Sequence, residues 1–288
     1  DCAASDASDA LSDQFPRAPA DARCTPEVEK ELRTLLASVR EPEEVRAEYA
    51  ANVLARQCAA SEARREAVRQ LGGIGVLVDL IRDEPAQRAA EHAALALANL
   101  CISNQANRDA LYEAGGISVL VNTLRSHQGR PVARKAAACL AVACNNNQRN
   151  QQAMQVAGGM EVLIAVLGTG LKHPAAQHAA TALAQMCTSS PALCQAAYDR
   201  GALPALVRAL ASVSLRSSSP DSSSAVKSAD HVIQCVGLLC AGREEAWELA
   251  VRLGLVETLA GLLTGPAVAT LAAEQACALL ATMSTESS

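Results

Sequence analysis

Gly115-Gly116-Ile117-Ser118-Val119-Leu120-Val121-Asn122-Thr123-Leu124 sets two glycines ahead of an amphipathic run, and Cys144 follows twenty residues after Leu124. Ile117, Leu120, Val121 and Leu124 stand at i, i+3, i+4 and i+7, the stripe of a helix buried on one face. The doubled glycine ahead of it predicts a turn, because glycine accepts the positive φ that ends a preceding helix. The phrase is one copy of a series whose leading glycine falls at Gly72, Gly115, Gly158, Gly201 and Gly254, with steps of 43, 43, 43 and 53. A period of about 40–47 residues built from two or three helices marks an α-solenoid. The expected fold is therefore all-α.

Composition agrees. The 288 residues are 50% hydrophobic but only 2% aromatic, so the core must be built from Ala, Leu, Val and Cys. That mixture suits closely packed helices better than sheets, which favour β-branched and aromatic residues. A net charge of −5 argues against a nucleic-acid binder, which carries a basic stripe. No uninterrupted apolar run reaches the roughly 18 residues of a membrane span. The longest, Val156 to Leu171, holds Glu161 and glycines and falls in register with the repeat. Asp1 opens the chain with neither Met nor a leader pattern, which reads as a fragment or a processed chain.

Five of the eleven cysteines repeat the glycine spacing: Cys58, Cys101, Cys144, Cys187 and Cys240, with Met283 a further 43 residues on. One thiol per repeat at one helical position predicts a packing column, and no close CxxC spacing supports a metal. No metal and no cofactor are expected. So many unpaired thiols point to a reducing, cytoplasmic location, with cilium or cytoskeleton association as a variant of it.

Within this frame, residues 1–24 read as an acidic flexible tail and 25–284 as the repeat domain. Its units are expected at 25–61, 62–104, 105–147, 148–190, 191–243 and 244–284. The first unit has only two helices, with Leu32, Leu35, Leu36 and Val39 on one face and a break at Pro42, as a capping repeat requires. Each full unit has a short polar helix, the glycine turn and two longer helices. Pro131 and Pro174 are expected to open third helices, where proline is tolerated. The long step of 53 is a serine-rich insertion over 212–224, which reads as a linker and also offers phosphorylatable serines.

A short helix, a glycine turn and two antiparallel helices, together with the phrases Glu113-Ala114-Gly115-Gly116-Ile117 and Ala96-Leu97-Ala98-Asn99-Leu100-Cys101, resemble the armadillo repeat. The resemblance covers about six repeats and implies a right-handed superhelix whose third helices line a concave groove. In the importin-alpha type, a Trp and an Asn four residues later recur on those helices and hold an extended peptide. Positions matching the Asn are Arg56, Asn99, Val142, Gln185, Leu238 and Ala281. Those matching the Trp are Asn52, Leu95, Ala138, Thr181, Gln234 and Cys277. With one Asn and no Trp, recognition of nuclear-import signals is not expected. Trp247 falls in a first helix and reads as packing.

A neighbouring column holds Tyr49, His92, Lys135, His178, His231 and Glu274, beside Glu48, Arg134, Gln177 and Asp230. Its histidines lie on separate repeats, too dispersed to converge on a metal, and read as solvated groove residues. Arg56, His92, Asn99, Arg134, Lys135, His178, Gln185 and His231 are the residues expected to contact a partner. GxSxG, P-loop, GxGxxG and HExxH motifs are absent, so no enzyme is expected. The expected function is a non-enzymatic scaffold presenting its groove to a protein or extended peptide, with no nucleic acid, membrane span or small-molecule substrate. The alternatives are a guanine-nucleotide dissociation stimulator of small GTPases, by resemblance to armadillo proteins of that kind, and a structural component of cilia or cytoskeleton.

Overall fold

The computed structural model describes residues 25–41, 43–84, 87–212, 222–264 and 271–286. The expected tail (1–24), Pro42, most of the serine-rich insertion and the side chain of Met283 lie outside the described residues. Every regular element among those described is an α-helix, and the chain divides between Gly159 and Met160 into two compact units.

In unit 1, α1 (Pro26–Val39) and α2 (Glu44–Ala60) form the two-helix first repeat. Thr25 starts α1 by accepting the Val28 N–H on its Oγ1 at 3.4 Å, with Pro26 in the first turn. Then come α3 (Glu62–Gln70), α4 (Gly73–Asp83) and α5 (Arg88–Cys101), and after them α6 (Gln105–Glu113), α7 (Gly116–Ser126) and α8 (Pro131–Cys144). The unit closes on α9 (Gln148–Val156). Asn104 and Asn147 cap α6 and α9, each side chain accepting the N–H three residues on at 3.0 and 2.9 Å. Gly72 and Gly115 have φ of 72° and 67°, the left-handed turn expected of them.

The second glycine of each pair has a different cause. A Cβ at Gly73 would stand 2.8 Å from the Val68 carbonyl oxygen, and one at Gly116 would overlap the Leu111 side chain. These positions need the missing side chain for space, so that the first and second helices of a repeat can touch.

Third helices α2, α5 and α8 pack side by side, with Leu54, Leu97, Leu100 and Leu140 fully buried. Ten of the fourteen residues of α5 and eleven of the fourteen in α8 are buried, most of them Ala. Small side chains let the backbones approach closely. The cysteine column is buried as packing, and burial pushes the Cys58 and Cys144 thiols up to about 12.

The joints between repeats are polar. Seven residues past each column cysteine of unit 1, a first-helix side chain donates to that cysteine's carbonyl: Arg65 to Cys58 at 3.2 Å, Arg108 to Cys101 at 3.1 Å, Gln151 to Cys144 at 2.9 Å. These bonds satisfy carbonyls at helix C-termini, which have no partner within their own helix. Arg108 also reaches the Asn145 carbonyl at the far end of its own repeat at 2.8 Å, and Arg125 reaches Ala157 at 2.7 Å, tying one repeat to the next.

Unit 2 contains α10 (Gly159–Gly168, from Met160 on), α11 (Ala176–Ser189), α12 (Pro191–Asp199), α13 (Ala202–Ala211), α14 (Ser222–Cys240), α15 (Glu244–Arg252), α16 (Leu255–Thr264) and α17 (Leu271–Glu286). Its third helices, α11, α14 and α17, again pack in series. Two expectations change. Pro174 does not open a helix: α11 begins at Ala176, after a turn in which Gly170 has φ of 100° and the Leu171 N–H donates to Ser212 Oγ at 2.9 Å. The expected linker over 212–224 also ends sooner, because Ser222 already belongs to α14. Trp247 is buried in α15, as packing.

Candidate functional site

Burial along the third helices shows where each unit is open. On α2 the exposed or half-buried side chains include Val45, Glu48, Tyr49, Asn52, Val53 and Arg56, a stripe at helical spacing, with Val45 and Tyr49 at 74% and 68% exposure. On α5 the opening narrows to Arg88, Glu91, His92 and Leu95, and on α8 to Pro131, Arg134 and Lys135. Every residue from Ala96 to Cys101 and from Ala136 to Cys144 is buried. Helices α5 and α8 are therefore open along their N-terminal halves and closed over their C-terminal halves, whereas α2 stays open as far as Arg56 and beyond.

Charge ties this open strip together. Glu48 on α2 lies 3.6 Å from Arg88 and 4.0 Å from His92, both on α5. Lys135 on α8 feels Glu91 of α5, yet forms no ion pair or hydrogen bond among the described residues. Desolvation, then its neighbour Arg134, lowers the Lys135 pKa, and Glu91 offsets this in part.

The eight expected contact residues divide between the units, five in unit 1 and three in unit 2. Arg56, His92, Arg134 and Lys135 face the open strip of unit 1. Asn99 does not. It is 2% exposed, its Nδ2 donates to the Ala55 carbonyl at 2.9 Å, and its Oδ1 is buried without a partner. In unit 2, His178 is buried at 6% exposure, whereas His231 is half-buried. Gln185 is also buried, and neither atom of its amide has a hydrogen-bond partner. Asp230, beside His231, has a buried Oδ1 without a partner, and burial raises its pKa to about 6.

Val45 and Tyr49 were missing from the expected set although Tyr49 stands in the same column as His92 and Lys135. A large apolar or aromatic side chain at a groove position, in a chain so poor in aromatics, was the available signal. Among the described residues, no group of three or more His, Cys, Asp or Glu side chains is placed to hold a metal ion, and no helix is long and apolar enough to cross a membrane.

Stacked three-helix units of this kind define an α-solenoid. Residues 61–102 match the family model of the Armadillo/beta-catenin-like repeat. No curated protein is significantly similar by sequence. Among solved structures, an engineered protein from a structural genomics consortium superposes with a TM-score of 0.72 at 25% identity, over 88% of this chain and 97% of that one. A designed armadillo repeat protein gives 0.70 at 20% identity, over 88% and 99%. Another, solved in complex with a (KR)4 peptide, gives 0.71 at 20% identity, over 88% and 99%. The chain has the α-solenoid fold of designed armadillo repeat proteins and carries one segment, residues 61–102, that matches the repeat's own family model.

Proposed function

We propose that this chain is a non-enzymatic scaffold that receives a protein or extended peptide on the open faces of its third helices. One observation carries this reading. Tyr49, Arg56 and Arg134 stand exposed along packed third helices, with Lys135 half-buried among them, although the Ala-rich remainder of α5 and α8 is sealed. Exposed aromatic and arginine side chains are the types enriched at protein interfaces. A designed armadillo protein in complex with a peptide shows that such a fold can carry this task. Eight buried free thiols support a cytoplasmic setting, which fractionation of the tagged full-length protein would check.

The test is affinity capture with the intact chain and with the Arg134→Glu/Lys135→Glu variant, followed by mass spectrometry. Both positions are open, so the variant retains its helical circular dichroism. Proteins held by the wild type should be lost from the variant. An unchanged set of captured proteins would remove the reading.

A further inference from the structure

We propose that the open strip of unit 1 docks an extended acidic segment of a partner protein, with an apolar side chain of the segment against Tyr49 and Val45 and a carboxylate between Lys135 and Arg134. The inference rests on the scaffold reading and adds the chemistry of the occupant.

Four features of the strip select that chemistry. First, Lys135 is a half-buried ammonium with no ion pair and no hydrogen bond among the described residues. An arriving carboxylate would supply the hydrogen bonds that water gives an exposed lysine. Second, Arg134 stands exposed beside it in the chain, likewise without an ion pair among the described residues, so two cations raise the positive charge near the start of α8. Third, the other end of the strip offers apolar surface: Val45 and Tyr49 lie one helical turn apart and are the exposed large hydrophobic side chains of α2. Fourth, the strip also contains Glu48, bonded to Arg88 and near His92, and Glu91. Those carboxylates disfavour a polyphosphate, which needs cations along its whole length. A segment with one well-placed acid and one apolar residue fits better.

Spacing refines the occupant. Tyr49, His92 and Lys135 hold the same position on three successive third helices, and the Glu48 to His92 and Glu91 to Lys135 interactions keep these rows in register. Packed helices lie about 8–10 Å apart, so Tyr49 and Lys135 are separated by roughly 16–20 Å. An extended chain rises about 3.3 Å per residue, which sets the apolar and acidic residues about five or six positions apart. The position matching the Asn ladder is closed on α5 and α8, where Asn99 and Val142 are both buried.

A random peptide library selected against the full chain, followed by fluorescence anisotropy on the selected peptides, tests this. The expected result is enrichment of Asp or Glu about five or six positions from an apolar residue. Lys135→Met in the protein, or Glu→Gln in the peptide, should each weaken binding about tenfold, as for a hydrogen bond to a charged group. The two changes together should weaken it no more than either alone, the mark of one shared interaction. Tyr49→Ala should weaken every such peptide without altering the charge preference. Additive losses, or enrichment of Lys and Arg, would overturn the inference. So would tight binding of a DNA duplex that Lys135→Met abolishes. Peptides lost on Arg134→Glu/Lys135→Glu but showing no charge preference would refute the acidic occupant and leave the scaffold reading standing. Selection of no peptide at all would overturn both.

Discussion

At Gly115 and Gly116 two adjacent glycines exist for unrelated reasons, and substitution separates them. Gly115 has φ of 67° with nothing within 4 Å of an added Cβ, so Gly115→Ala meets only backbone strain, about 1 kcal/mol. Gly116 has ordinary φ, but a Cβ there would overlap Leu111 and stand 3.0 Å from Val78 Cγ2, so Gly116→Ala should cost about 1–3 kcal/mol as overpacking. Gly129 has neither constraint, and Gly129→Ala should be neutral or stabilising by up to about 1 kcal/mol. Urea midpoints of the three variants would rank them, and an equal loss in all three would contradict the distinction. Asp230 makes a prediction in pH. Burial raises its pKa to about 6, above the unfolded value of about 3.9, so between those pH values the folded chain binds more protons than the unfolded one. Stability attributable to this group therefore falls as pH rises through that window. Asp230→Asn should stabilise the protein above pH 6 and have little effect near pH 4, as measured by urea unfolding at both.

Helix ends, rather than helix interiors, distinguish the elements. Each third helix of unit 1 has a buried cysteine in its last turn whose carbonyl is met by the side chain seven residues later, and Arg108 is the strongest instance. It is 9% exposed, donates to Cys101 and Asn145, and holds its charge against a desolvation that lowers its pKa. Arg108→Ala would leave two carbonyls unsatisfied, at a cost of about 2–4 kcal/mol. Arg65→Ala, which removes one longer bond from a less buried place, should cost about 1 kcal/mol. Similar losses in the two variants would show that the second carbonyl contributes nothing. This column also marks the limit of what could be read from the sequence. The glycine turns, the cysteine packing column and the apolar stripes were legible, because each depends on periodicity within one chain segment. The seven-residue link was present in the spacing but not in the chemistry, since Arg, Arg and Gln share no type, only reach. Site depth was harder still. His92, Lys135 and His178 occupy one column, yet His178 is buried while the others are half-open, because a column fixes direction and the flanking side chains fix depth. Asn99 followed the same rule: its amide found the Ala55 carbonyl of the preceding third helix, a neighbour no linear spacing names.

For the molecule as a whole, stability in a solenoid is approximately a sum of repeat terms and nearest-neighbour terms, so a lesion is felt most where it is made. The chain provides a natural reporter of this. Its single tryptophan, Trp247, is buried in α15 of unit 2, while Arg108 joins repeats within unit 1 through its bond to Cys101. Fluorescence of Trp247 therefore follows unit 2, whereas far-ultraviolet circular dichroism follows the helices of both units. In wild-type protein, urea unfolding observed by the two probes sets the reference. In Arg108→Ala, the dichroism should lose amplitude at lower urea, as a separate early phase, while the Trp247 midpoint moves much less. A lesion inside unit 2, Leu206→Ala at a fully buried position of α13, should reverse the order and cost about 2–5 kcal/mol locally. Coincident probes that shift by the same amount in both variants would mean that the chain unfolds as one cooperative block. Nearest-neighbour energetics would then not describe it, and a groove substitution in one unit would have to be judged by its effect on both.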